Sequence, residues 1–343
     1  MKTWKHCVVA ALLLAVGFTV ALNGKARVAG SSGYQVVKAV PVEGEGFWDY
    51  VAVDSDARRI YISHATKVIV IDADSFAVAG EIPDTQGVHG IAIASDLGRG
   101  FTSNGRAGTA TIFDLKTLKT LGTVNTGKNP DAIAYDPVSK RVFTFNGGSK
   151  DATAFSAADG AIAGTLSLGG RPEFAAVDGK GKIFVNIEDT SELVEIDAEA
   201  LKILHRWPLK PCESPSGLAI DQKNRRLFAG CENKLMAVVD ADSGKVIATP
   251  SIGDGVDATA YDPGTGFVLS SNGEGTLTVV KQEGPDKYSV LENVPTKKSA
   301  RTMGLDLKTH NVVLPAADFL PPKAGERRGT MKPGTFVLLV VAR

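Results

Sequence analysis

The chain has 343 residues, 43% hydrophobic and 22% charged, with Lys plus Arg and Asp plus Glu equal at 38 each. This is the composition of an ordinary globular protein, and it leaves no basic footprint, so no nucleic-acid partner is expected. The length permits two domains, yet no composition break divides the chain.

Residues 1–26 read as an export signal. Lys2 and Lys5 form a charged start, Cys7 to Leu22 is an apolar run, and Gly24-Lys25-Ala26 offers small residues at the −3 and −1 positions of a cleavage site. An uncleaved anchor is the competing reading and the only route to a membrane, since an apolar run of about 16 residues is near the lower limit for a span. Cys7 opens that run instead of following it, which argues against a lipoprotein. The expected location is therefore the periplasm or the exterior, with residues 27–33 a short linker and 34–343 a single, monomeric domain.

From residue 48 onward one short motif recurs seven times. Asp49, His89, Asp131, Glu173, Ser216, Asp257 and Arg301 occupy the same place in it, 40 to 44 residues apart, each opening a run of small and β-branched residues. A repeat of this length carrying four short strands is a β-propeller blade, so the pattern predicts an all-β, seven-bladed propeller. In the second blade the predicted strands are 90–94, 100–104, 109–114 and 120–124, with turn residues between them. Asp72-Ala73-Asp74-Ser75 and Asp240-Ala241-Asp242-Ser243 fall at such turns and lack the helices of an EF-hand. The last blade supplies only 301–306, 311–316 and 335–342, with a Pro-rich loop over 319–333. Its fourth strand is expected from 34–42, which closes the ring and removes the exposed edges.

Cys212 and Cys231 flank strands A and B of the fifth blade on one face of the disc, so they are expected to form a disulfide. Closing a loop of about 20 residues contributes on the order of 3 kcal/mol. The alternative, a soft-metal site, lacks any CxxC or His-Cys cluster after residue 26.

Segments such as Tyr50-Val51-Ala52-Val53-Asp54 followed by Arg59-Ile60-Tyr61-Ile62-Ser63, and Asp114-Leu115-Lys116-Thr117, resemble the YVTN repeats of secreted, YncE-like propellers. The resemblance covers the first six blades well and the seventh loosely. It implies the fold and an exported protein; it does not imply one activity, because the architecture hosts binding proteins, lactonases and haem or copper oxidoreductases.

Function must then be sought where the blades converge. Fifteen residues beyond the first set lie His64, Asn104, Asn146, Glu188, Cys231, Asn272 and Ala316, at the ends of strand B. Starts of A and ends of B share one face, so the two sets are expected to surround one mouth of the channel. Convergent acids beside His and Asn suit a divalent cation, calcium or a transition metal. The expected metal ligands are Asp131, Glu173, Glu188 and Asp257, and the expected ligand-binding residues are Asp49, Asn104, Asn146, Ser216, Asn272 and Arg301. Against this stands simple turn chemistry, for Asn-Gly and Asp at strand ends also close turns. Two functions follow. One is a binding or scaffold propeller that takes a small ligand, a metal or a protein partner at the mouth. The other is a metal-dependent lactonase or esterase in which His89 or His64 activates water. Redox chemistry at copper or haem is a third and weaker idea, short of histidines.

Overall fold

The computed structural model describes residues 31–44, 46–323 and 329–343. The predicted export signal lies outside the described residues, as does the first part of the linker. The last linker residues are packed on the disc: Ser32 is buried, its amide donates to Glu292 Oε1 at 2.7 Å, and its carbonyl accepts from Arg343 Nε at 2.9 Å.

Seven four-stranded antiparallel sheets form, each taking its strands in chain order except the last. The second blade is typical, with strands Val88–Ala94, Arg99–Asn104, Thr109–Asp114 and Thr120–Asn125. Its inner three strands are largely buried and the outer one largely exposed, since only the outer strand faces solvent. Apolar clusters fill the gaps between neighbouring sheets, built on side chains such as Phe101, Phe143, Phe184 and Phe228 that are fully buried. The turns hold as expected: Asp72 Oδ1 accepts from the Asp74 and Ser75 amides, and Asp240 Oδ1 from those of Asp242 and Ser243. Ser, Thr, Asp and Asn favour turns through such side-chain-to-backbone bonds.

The ring is closed by strand Gln35–Pro41, which runs antiparallel to Val337–Ala342 from Gln35 opposite Ala342 to Pro41 opposite Val337. The seventh blade departs from expectation at its inner strand, which is only Gly304–Leu305 instead of 301–306. In the first, second and sixth blades Ser63, Ser103 and Ser271 occupy the place that Pro315 takes here, and their hydroxyls bond the inner strand's backbone. Proline has neither that hydroxyl nor an amide to donate.

A register shift recurs at the start of the inner strand. In the first blade it falls between Trp48 and Val51, and equivalent shifts fall after Val88, Pro130, Pro172, Pro215 and Val256. Each is a β-bulge containing the recurrent residue, and a bulge re-aims a side chain. Ser63 Oγ accepts from both bulge amides, Asp49 at 3.0 Å and Tyr50 at 2.9 Å. Adjacent bulges are also tied to one another: Ser103 Oγ donates to the Asp131 carbonyl, and Ser216 Oγ to the Asp257 carbonyl at 3.1 Å. Gly217 permits this approach, since a Cβ there would lie 2.5 Å from the Thr259 nitrogen. Cys212 and Cys231 are disulfide-bonded, with Cα atoms 5.7 Å apart.

Candidate functional site

The bulges direct the recurrent side chains into a funnel of about 1200 Å³ at one mouth of the channel. Asp49, His89, Asp131, Glu173, Ser216, Asp257 and Arg301 all line it, joined by Glu188, Arg171, Tyr50 and Phe174. An arc of polar contacts runs through five consecutive blades. Arg301, from the seventh, reaches Asp257 of the sixth through Nη1 and Asp49 of the first through Nη2, the latter at 2.7 Å. Asp49 in turn accepts from His89 Nδ1 at 2.5 Å, and Asp131 Oδ1 stands 3.7 Å from the same nitrogen.

The arc breaks at the fourth blade. Arg171 is 3.0 Å from Glu188 and 3.9 Å from Glu173 Oε2, and that Glu173 oxygen is buried without a hydrogen-bond partner. The floor of the funnel is aromatic: the Tyr50 and Phe174 rings stack with centroids 4.4 Å apart. The Tyr50 hydroxyl is likewise buried and unpartnered.

Charges this close in a site shielded from water perturb one another. Burial, followed by the Asp131, Glu188 and Asp257 charges, pushes Glu173 well up. Burial also pushes Asp131 up to about 6, with the Asp49 charge adding to it. Asp257 is raised to about 7, by burial first, with Arg301 acting against the shift and Asp49 and Asp131 reinforcing it. Asp49 is the exception: although burial raises it, the bonds to His89 and Arg301 win and hold it below its ordinary value. His89 rises because the carboxylates Asp49 and Asp131 outweigh its burial. The arc therefore shares its protons unevenly, with Asp49 favoured as the carboxylate while Asp131, Glu173 and Asp257 hold theirs to higher pH.

The outer set is placed differently from the expectation. Asn104 donates to Thr109 and Thr111, Asn146 to Asp151 and Thr153, and Asn272 to Thr276 and Thr278, all inside the hairpin between the second and third strands. These three are buried and do not line the funnel. Beyond the bulge the pleat turns their side chains away from the axis, so they serve as turn locks. His64 is buried against Phe336, 4.8 Å between ring centroids, and burial holds its imidazole below the usual value. Of that outer set only Glu188 joins the inner residues, apart from Cys231 in its disulfide.

Among the described residues, the group whose ligand atoms lie within 4.8 Å of one another is Asp49, His89 and Asp131. Its mixed nitrogen and oxygen donors suit a transition metal better than calcium. Of the expected metal set only Asp131 falls in it; Glu173 and Glu188 face Arg171, and Asp257 faces Arg301. Sequence reasoning missed Tyr50, Phe174 and Arg171. A signal was present: Tyr50 and Phe174 follow the recurrent residue where other blades have Gly90, Ala132, Gly217, Ala258 and Thr302. A large ring in a place reserved for small side chains must project into the channel.

No family model matches the chain, and no curated protein matches it. Solved structures do. The chain is similar to the structure of U3-55K, with a TM-score of 0.75 and 12% identity over 88% of this chain and 97% of that one. It is similar also to the crystal structure of the RRP9 WD40 repeats, with a TM-score of 0.76 and 12% identity over 89% and 97%. A third is the WD40 β-propeller domain of Doa1, with a TM-score of 0.69 and 12% identity over 90% and 97%. At such identity the likeness speaks for the fold alone. The chain is an all-β, seven-bladed propeller of four-stranded blades.

Proposed function

We propose that this propeller is an exported binding protein, of the YVTN-repeat kind, whose funnel captures a small molecule carrying positive charge or several hydrogen-bond donors. The observation that carries the reading is the break in the polar arc: Glu173 Oε2 and the Tyr50 hydroxyl are buried at the funnel without hydrogen-bond partners, beside carboxyl groups that burial raises above their ordinary values. Unpaired buried acceptors cost free energy that an incoming donor relieves. An amine or a polyol supplies that donor; a carboxylate ligand does not. The Cys212–Cys231 disulfide supports an oxidising location, where such bonds persist. Thermal shift and calorimetry with a panel of amines, polyols and carboxylic acids test the reading. Stabilisation by amines or polyols that disappears in Glu173→Gln is expected. A response confined to carboxylic acids overturns it.

A second reading, a divalent-metal hydrolase of lactone or ester type, is favoured by the Asp49, His89 and Asp131 group. A cation there would replace the proton shared between His89 and Asp49 and polarise a substrate carbonyl. Metal analysis of protein purified without chelator separates the two readings: stoichiometric metal that is lost in Asp131→Ala supports the hydrolase.

A further inference from the structure

We propose that the ligand of the funnel is an amphipathic aromatic amine whose ring enters a second recess built by Phe47, Trp48 and Phe319; the proposal rests on the funnel reading above. The recess has a volume of about 240 Å³. A cavity of about 150 Å³ lined by apolar groups already accepts benzene, so one ring fits. Phe47 and Phe319 stack with centroids 5.9 Å apart and planes 15° apart, while Trp48 tilts by 37° against Phe319 at the same separation. Offset stacking of this kind extends readily to a third ring.

The recess is continuous with the funnel. Phe47, Trp48 and Arg301 line both, so a ligand seated in one reaches into the other. Arg301 is committed to Asp49 and Asp257, which removes the call for an acidic ligand at the junction. Phe47 is 46% exposed although it faces this recess, whereas Trp48 is only 6% exposed, and its Nε1 is buried with no acceptor. An amine would answer the carboxylates of the funnel. The recess and funnel together thus suit a ligand with an aromatic ring at one end and a cation on its chain.

Tyramine, ethylamine and p-cresol separate the contributions, with binding followed by NMR titration on the full chain. Tyramine is expected to bind at least about tenfold more tightly than ethylamine, the worth of one stacked ring. Phe47→Ala and Phe319→Ala should each remove most of that advantage; Phe319→Ala, at a residue outside the funnel lining, should leave ethylamine unchanged, while Glu173→Gln weakens both amines. Phe47→Tyr, which keeps the stack, should bind tyramine as the parent does; if it also loses binding, the ring recess is not the site. Equal affinity for the two amines, indifferent to Phe47→Ala, overturns this inference and leaves the funnel reading intact. Binding of p-cresol lost in Phe47→Ala, with no amine affected by Glu173→Gln, overturns the funnel reading and with it the cationic end of the ligand.

Discussion

Tyr50 of the first blade and Phe174 of the fourth stack across the channel, ring centroids 4.4 Å apart. Innermost strands three blades apart can touch only by reaching the axis, so this pair marks the centre of the funnel. Removing the Tyr50 hydroxyl deletes a buried polar group that has no partner. Tyr50→Phe should therefore leave the stability of the free protein within about 1 kcal/mol of the parent, or raise it. Phe174→Ala, which breaks the stack and opens the floor, should cost about 2 kcal/mol. Urea titration of both variants checks the contrast, and a large loss in Tyr50→Phe would show that its hydroxyl is bonded after all.

Arg301 neutralises two carboxylates from the blades on either side of it. Arg301→Gln leaves Asp257 buried without its cation and Asp49 with His89 alone, and should cost about 3 kcal/mol near neutral pH. The penalty should shrink at pH 5, where Asp257, raised to about 7, takes up a proton. Melting curves at pH 5 and pH 8 test this; a pH-independent penalty would assign the loss to packing instead.

The wild-type protein should itself lose stability as pH rises. Asp131 and Asp257 titrate in the folded chain at about 6 and about 7, against an ordinary carboxylate near 4 in the unfolded chain. The folded state therefore binds extra protons between those values, and its advantage, complete below about pH 4, declines as pH climbs through 6 and 7. His89, also raised, acts in the same sense, while Asp49, which is lowered, acts in the opposite sense at acid pH. Asp131→Asn combined with Asp257→Asn should flatten the slope measured by urea midpoints from pH 5 to pH 8. A slope that survives both changes would move its origin elsewhere.

Deleting residues 1–42 strips strand Gln35–Pro41 from Val337–Ala342 and exposes the edge of the last blade. The whole disc, and not one blade, should lose stability, seen as a lower melting temperature. An unchanged value would mean that the ring does not depend on this closure.

Thiol titration of denatured, non-reduced protein should find Cys212 and Cys231 unreactive, and reduction should lower stability by about 3 kcal/mol, the loop being about 20 residues. Two reactive thiols would contradict the bond.

The sequence carries the blade count, the closing strand and the disulfide because each leaves a periodic or pairwise mark. The recurrent residue shows itself for the same reason, and all seven of its versions meet at the funnel. Asn104, Asn146 and Asn272 share the period equally well yet turn away, since a period reports position along the chain and not the side to which a pleat or bulge points. The shortened strand Gly304–Leu305 left no such mark, since the motif continues in sequence from Arg301 to Asp306. Phe47, Trp48 and Phe319 gave no signal at all, because they come together across the seam between the first and last blades.

That seam sets an order of events. Strand Gln35–Pro41 is the first of the disc to be made and Val337–Ala342 the last, so the earliest strand waits for all the others before it can pair. The entropy of bringing distant segments together grows slowly with chain length, at about 0.6 kcal/mol per doubling, so the delay and not the cost is the burden. Until Val337–Ala342 arrives, the apolar row Val312 to Ala316 and the strand Gln35–Pro41 both lack that partner, and the nascent disc presents the sticky edge that the finished ring conceals. Aggregation during expression, more than instability afterwards, is the hazard this architecture carries.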